Sequence, residues 1–161
     1  MKKLLFACIA FVALLNSSCT KQQDCCVLSE SPSIAAEINS KPWNGKPEMF
    51  KPHPDTIAIT GRQTEQTLIM RIKFTGKGIY TLKPGQVTYG ITVGGDVTIA
   101  EYTPDESAAT STLEVVEYDS TRGIIRGKFN LDLKLGRHYI GNCKANSVAV
   151  TRGTFTQYLP K

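Results

Sequence analysis

The chain has 161 residues, 41% of them hydrophobic and 20% charged, a composition that excludes a disordered or fibrous chain and leaves room for one domain. A domain of this size buries roughly two thirds of its unfolded surface, so it needs neither a metal nor a disulfide to fold. The formal charge is +5, but Lys2 and Lys3 fall in a segment expected to be removed, and the other cations are scattered among acids. Such weak, mixed basicity gives no argument for a nucleic-acid partner.

Residues 1–18 read as a signal peptide. Met1-Lys2-Lys3 is a short basic start, residues 4–15 are an apolar run, and Asn16-Ser17-Ser18 leads into Cys19. A run of this length cannot span a bilayer core, which takes about 20 residues. The small pair Ser17-Ser18 before Cys19 resembles the lipobox of bacterial lipoproteins, with Asn16 where that pattern prefers leucine. The resemblance implies that the Cys19 thiol takes a diacylglyceryl group, that the chain is cut before Cys19, and that the new amine is acylated. An ordinary cleaved signal with an incidental cysteine is the alternative. Each buried CH₂ of an acyl chain contributes about 0.8 kcal/mol, so several chains make a firm anchor. Residues 19–32 then form the lipidated cysteine and a flexible tether, low in large apolar groups and ending in Ser29-Glu30-Ser31-Pro32. Surface-exported lipoproteins of the Bacteroidota often carry an acidic cluster just after the cysteine. Only Asp24 stands there in this chain, so the expected location is the cell envelope, anchored in the outer membrane and facing the periplasm rather than the surface.

From residue 33 to 161 the pattern has period two, with apolar and polar positions alternating between Gly, Asn and Asp turns. Strands are expected at about 33–39, 56–62, 66–74, 78–82, 86–93, 96–102, 112–119, 123–134 and 147–158. The clearest sets Ile125, Gly127, Phe129, Leu131 and Leu133 on one face against Arg126, Lys128, Asn130, Asp132 and Lys134 on the other. Gly153 interrupts the last run and is expected to mark a bulge, because Val148 and Val150 share one parity and Phe155 takes the other. Short links such as Gly94-Gly95 require antiparallel neighbours. The fold class is therefore all-β: an antiparallel meander of about eight or nine strands forming a β-sandwich or flattened barrel, since a flat sheet would leave its apolar face wet.

Five blocks in order, at residues 36–43 (AEINSKPW), 74–82 (FTGKGIYTL), 97–102 (VTIAEY), 123–129 (GIIRGKF) and 150–155 (VTRGTF), resemble small uncharacterised lipoproteins of the Bacteroidota grouped under a domain of unknown function. The resemblance implies a lipid-anchored all-β envelope domain and brings no catalytic residues.

The residues themselves carry little chemistry. A nucleophile elbow, a phosphate loop and a His-Glu-x-x-His motif are missing, and Gly76-Lys77-Gly78 lacks the third glycine of a dinucleotide site. His53, two places from Asp55, could hold a metal or act as a base, against a plain loop histidine; His138 reads similarly, in the loop before Cys143. Glu114 and Glu117 are expected on opposite strand faces, and Asp105-Glu106 in a solvated loop. Trp43, beside Asn44-Gly45, is either a surface platform for a sugar or partner, or a core plug. With Cys8 removed and Cys19 lipidated, Cys25, Cys26 and Cys143 remain in an oxidising compartment, where Cys25 or Cys26 could bridge to Cys143 or all three stay as thiols. The expectation is a non-enzymatic envelope lipoprotein without cofactor or metal, held to the membrane by acylated Cys19 and binding a protein or glycan through its loops. A carrier of a small apolar ligand and a hydrolase of unfamiliar type are the alternatives.

Overall fold

The computed structural model describes residues 30–106, 111–139 and 145–160, and all its regular structure is strand. Ten strands run in chain order: β1 (Ser33–Ile38), β2 (Lys41–His53), β3 (Thr56–Arg62), β4 (Gln66–Lys73), β5 (Gly78–Thr81), β6 (Val87–Val93), β7 (Val97–Pro104), β8 (Thr112–Asp119), β9 (Ile124–His138) and β10 (Ser147–Tyr158). The all-β antiparallel fold is as the alternation predicts, with one strand more. Strand β2 escapes a period-two reading because Pro42, Asn44, Gly45, Pro47 and Pro52 interrupt it. The tight turn lies instead at Asn39-Ser40, whose φ angles of 48° and 62° are the left-handed pair that a two-residue hairpin needs.

The strands form one sheet in the order β10-β1-β2-β3-β4-β6-β7-β9-β8-β5, and an additional β10–β9 pairing closes it into a ring. Closure removes the wet apolar face that a flat sheet would keep. The meander breaks at β5 because β9 is long enough to serve two partners along one edge. β7 takes its C-terminal part, from Pro104 opposite Leu133 to Ala100 opposite His138, and β8 takes its N-terminal part, from Thr112 opposite Asn130 to Asp119 opposite Ile124. β5 then pairs with β8 and not with β4. Alternating strand direction sorts the turns into two ends. One end gathers the β2–β3, β4–β5 and β8–β9 turns with Leu159, whose N–H donates to the Gly123 carbonyl at 2.7 Å. The other gathers the β1–β2, β3–β4 and β6–β7 turns and the β9–β10 connection; there Thr92 N–H donates to the Glu65 carbonyl at 2.9 Å.

The interior is packed by rings laid over glycines. On the β9–β10 seam Gly153 faces Phe129 and Phe155 faces Gly127. A Cβ on Gly153 would run into the Phe129 ring, and one on Gly127 into the Phe155 ring and the Glu114 carbonyl. Both phenyl rings are buried, at 1% and 2% exposure. The expected bulge is beside Gly153: the register shifts between Val150 and Gly153, Arg152 takes a φ of 52°, and its N–H donates to Asn130 Oδ1 at 3.1 Å. Phe129→Ala should therefore cost about 3–5 kcal/mol and Gly153→Ala about 1–3 kcal/mol, while outward Lys128→Ala stays within about 0.5 kcal/mol. Urea unfolding of the three variants measures this, and equal small effects would mean that the inward face is misassigned.

Tyr89 and Tyr102 face each other inside the wall, with ring centroids 6.0 Å apart. Burial, and secondarily Tyr102, pushes the Tyr89 phenol from its ordinary 10.0 up to about 12. Below pH 10 both folded and unfolded chains keep the proton, and this contribution to stability is complete. As pH rises toward about 12 the unfolded chain loses its proton first, so stability falls, by up to about 1.4 kcal/mol per pH unit. Tyr89→Phe should flatten that alkaline limb in unfolding curves recorded between pH 9 and 12.

Candidate functional site

The described chain begins by being fastened down. Glu30, at the end of the expected tether, pairs through its carboxylate with Arg126 on β9, and its carbonyl accepts from Tyr158 Oη at 2.8 Å. Arg126 also pairs with Glu117 on β8, so strands β8 and β9 and the entering segment meet at one guanidinium. The described chain therefore enters at the end of the ring that holds the β8–β9 turn. Arg126→Ala should speed amide exchange at residues 30–33 more than at the core of β10, as hydrogen–deuterium exchange would show.

Cys19, Cys25, Cys26 and Cys143 lie outside the described residues. The described neighbours that lead to them are Glu30 at one end of β10 and Ala145 at the other, the latter accepting from Tyr102 Oη at 3.0 Å.

The structure separates the residues that could have formed a catalytic group. His53 is exposed at the end of β2, opposite Thr56. The neighbouring Asp55 carboxylate is engaged by Lys73 at 3.2 Å and Thr56 at 3.1 Å, contacts that hold its pKa below the usual carboxylate value. His138 is not in a loop: β9 extends to it, and it pairs with Ala100 at the opposite end of the ring from His53. Glu114 and Glu117 share the outer face, contrary to the expectation from simple alternation, because a bulge at Val116 inserts an extra residue and returns Glu117 to the side of Glu114. Asp105 pairs with Lys134 at 3.1 Å. Among the described residues no group of three His, Cys, Asp or Glu is placed to hold a metal.

Trp43 is the core plug of the two readings, not a surface platform. It is 2% exposed, and its ring lies where Cβ atoms on Gly45 and Gly61 would stand. Its Nε1 has no hydrogen-bond partner among the described residues.

A groove with a volume of about 420 Å³ opens to solvent on the outer wall of β6, β7 and β9. Its floor is Val87 and Tyr102, both buried, and its sides carry Thr88, Glu101, Thr103 and Arg137, with Pro84-Gly85 as a lip. A bulge makes the room: Gly136 is an extra residue of β9 between Arg137, opposite Glu101, and Leu135, opposite Tyr102. Beside the groove Tyr139, 48% exposed, donates from Oη to Glu101 Oε2 at 3.3 Å. The neighbouring Tyr139 hydroxyl, and after it Glu101, raises the Arg137 pKa, so the guanidinium stays charged. Thr103 Oγ1 is buried without a hydrogen-bond partner among the described residues. Sequence reasoning missed this site. Its only local sign is Gly136 at the end of a long alternating run, which breaks the parity of Leu131, Leu133 and Leu135.

The domain is thus an antiparallel all-β ring with a solvent-open polar groove on its wall. The chain belongs to the family described as Domain of unknown function (DUF6252), whose match spans residues 30–158. The match begins at the fastened Glu30 and ends at Tyr158, so it coincides with the ring. Neither the curated proteins nor the solved structures contain a match to the chain.

Proposed function

We propose that this protein is a lipid-anchored lipoprotein of the bacterial cell envelope, a non-enzymatic module that presents the wall groove and the far-end turns to a partner. The observation that carries this reading is the position of Glu30. Its ion pair with Arg126 and its bond from Tyr158 hold the start of the described chain at one end of the ring, while Tyr139 beside the groove stands toward the other. A chain held to a membrane through acylated Cys19 would thus be attached at the end of the ring away from Tyr139, leaving the wall groove uncovered by the attachment. The signal-like residues 1–18, the small pair before Cys19 and the resemblance to Bacteroidota lipoproteins support the anchor; Asp24 as the sole acid just after Cys19 favours the periplasmic face of the outer membrane.

The filled interior favours a binding module over a carrier of a small apolar ligand. Trp43, Met70, Tyr89, Phe129 and Phe155 occupy the space inside the ring at 2% exposure or less, and the groove lies outside it. The separation of His53 from His138 gives no support to a hydrolase.

Acyl labelling and fractionation of cells expressing the full chain test the anchor. The native protein should take the label and sediment with membranes, and Cys19→Ser should lose the label and become soluble or keep its signal. Unchanged labelling of Cys19→Ser would overturn the reading. Crosslinking in the intact envelope from a photoreactive residue at position 84, on the lip of the groove, then identifies what the groove meets.

A further inference from the structure

We infer that the groove on β6, β7 and β9 binds a neutral carbohydrate, one or a few sugar units of a glycan, with Tyr139, Glu101 and Arg137 as its recognition residues. This deepens the binding-module reading and rests on it. Three features of the groove point to that chemistry.

The first is charge. Glu101 and Arg137 lie opposite each other, and the Tyr139 hydroxyl donates to the Glu101 carboxylate at 3.3 Å. The pair brings one negative and one positive group, so the groove offers strong acceptors and strong donors with no net charge to attract an anion or a cation. Neutral polyhydroxyl compounds need that combination, because each hydroxyl both donates and accepts. The second feature is the mixture of surfaces. Thr88 and Thr103 line the sides, and Tyr139, 48% exposed and hydrogen-bonded to the lining residue Glu101, puts an aromatic ring beside the groove, the kind of surface that packs on the C–H side of a sugar ring. The third is rigidity. Tyr102 beneath is 2% exposed and tied by Oη to Ala145, and Val87 is fully buried, so the floor is set before anything binds. The volume of about 420 Å³ falls in the range of small-molecule sites. A protein partner would be served better by a contiguous apolar patch at the centre of the contact, and the exposed Val93 and Val97 lie at the β6–β7 turn, outside the groove lining.

The test is saturation-transfer NMR on the mature full chain in a zwitterionic, sugar-free detergent. The probes are neutral di- and trisaccharides of glucose, galactose and N-acetylglucosamine, with a sialylated trisaccharide as the anionic control. At least one neutral probe should receive saturation, with the anionic probe receiving less. Glu101→Gln and Tyr139→Ala should each weaken that binding about tenfold, equivalent to about 1.4 kcal/mol. Tyr139→Phe, which keeps the ring and loses the hydroxyl, should fall between Tyr139→Ala and the native chain. Melting curves verify that the variants remain folded. Absence of transfer to every neutral probe, preference for the anionic one, or variants that bind as the native chain does would each overturn the proposal. If transfer is absent while acyl labelling depends on Cys19 and position 84 crosslinks to a protein, the binding module stands with a protein partner and only the carbohydrate assignment falls. If sugars bind while Cys19→Ser keeps its label, the anchor fails and the carbohydrate site stands.

Discussion

The ring depends on the seam between β9 and β10. These strands are consecutive in the chain, and because β10 also pairs with β1, their contact joins the last strand to the first and closes the sheet; their pairing runs from Ser147 opposite Lys134 to Tyr158 opposite Ile124. Within it each phenylalanine lies over the glycine of the facing strand, Phe129 over Gly153 and Phe155 over Gly127. The arrangement solves a problem of space. A ring lying flat needs a neighbour without a side chain, and in return it covers backbone that a glycine would otherwise leave poorly packed in the interior. Exchanging the two glycines for any larger residue would push the strands apart at the place where the sheet is joined.

The same strand β9 also explains why the groove lies where it does. Because β9 is longer than its partners, it must be shared, and β7 and β8 divide its free edge between them. Each division is marked by an irregularity. Val116 bulges out of β8 and brings Glu117 to Arg126, the residue that receives Glu30; Gly136 bulges out of β9 and widens the wall beside Glu101. The two ends of the ring thus acquire different surface chemistry from one structural cause, a mismatch of strand lengths. One bulge fastens the incoming segment, and the other opens a depression.

Most of the fold was legible because burial on one face writes itself into alternate residues. Leu68, Met70 and Ile72 are fully buried as their parity predicts, and so are Phe129, Leu131 and Leu133. Strand β2 was not legible, since its inward positions include Gly45 and Pro47, which break the hydrophobic pattern; Gly45 carries no side chain there because the Trp43 ring needs the room. Strand β3 was legible at its observed bounds, Thr56–Arg62, although Ile57 through Gly61 are buried on both faces and Ala58 and Thr60 form no outward, wet set. The groove was illegible for a further reason. Glu101, Arg137 and Tyr139 are ordinary outward residues, separated by more than thirty positions between the first and the other two, and only the β7–β9 register brings them together.

The described chain enters and leaves at the same end of the ring: Glu30 is held by Tyr158, and Leu159 by the Gly123 carbonyl. A reporter fused to the C-terminus would therefore crowd the N-terminal segment and stand between the ring and whatever that segment is attached to. An epitope inserted between Gly94 and Asp96 would instead stand at the opposite end, in a turn whose φ angles of 67° and 88° already belong to glycine. The juxtaposed termini also make the topology suited to circular permutation. Joining Leu159 to Glu30 by a short linker and opening the chain in the β6–β7 turn would keep all ten strands in register while moving both free ends to the far side.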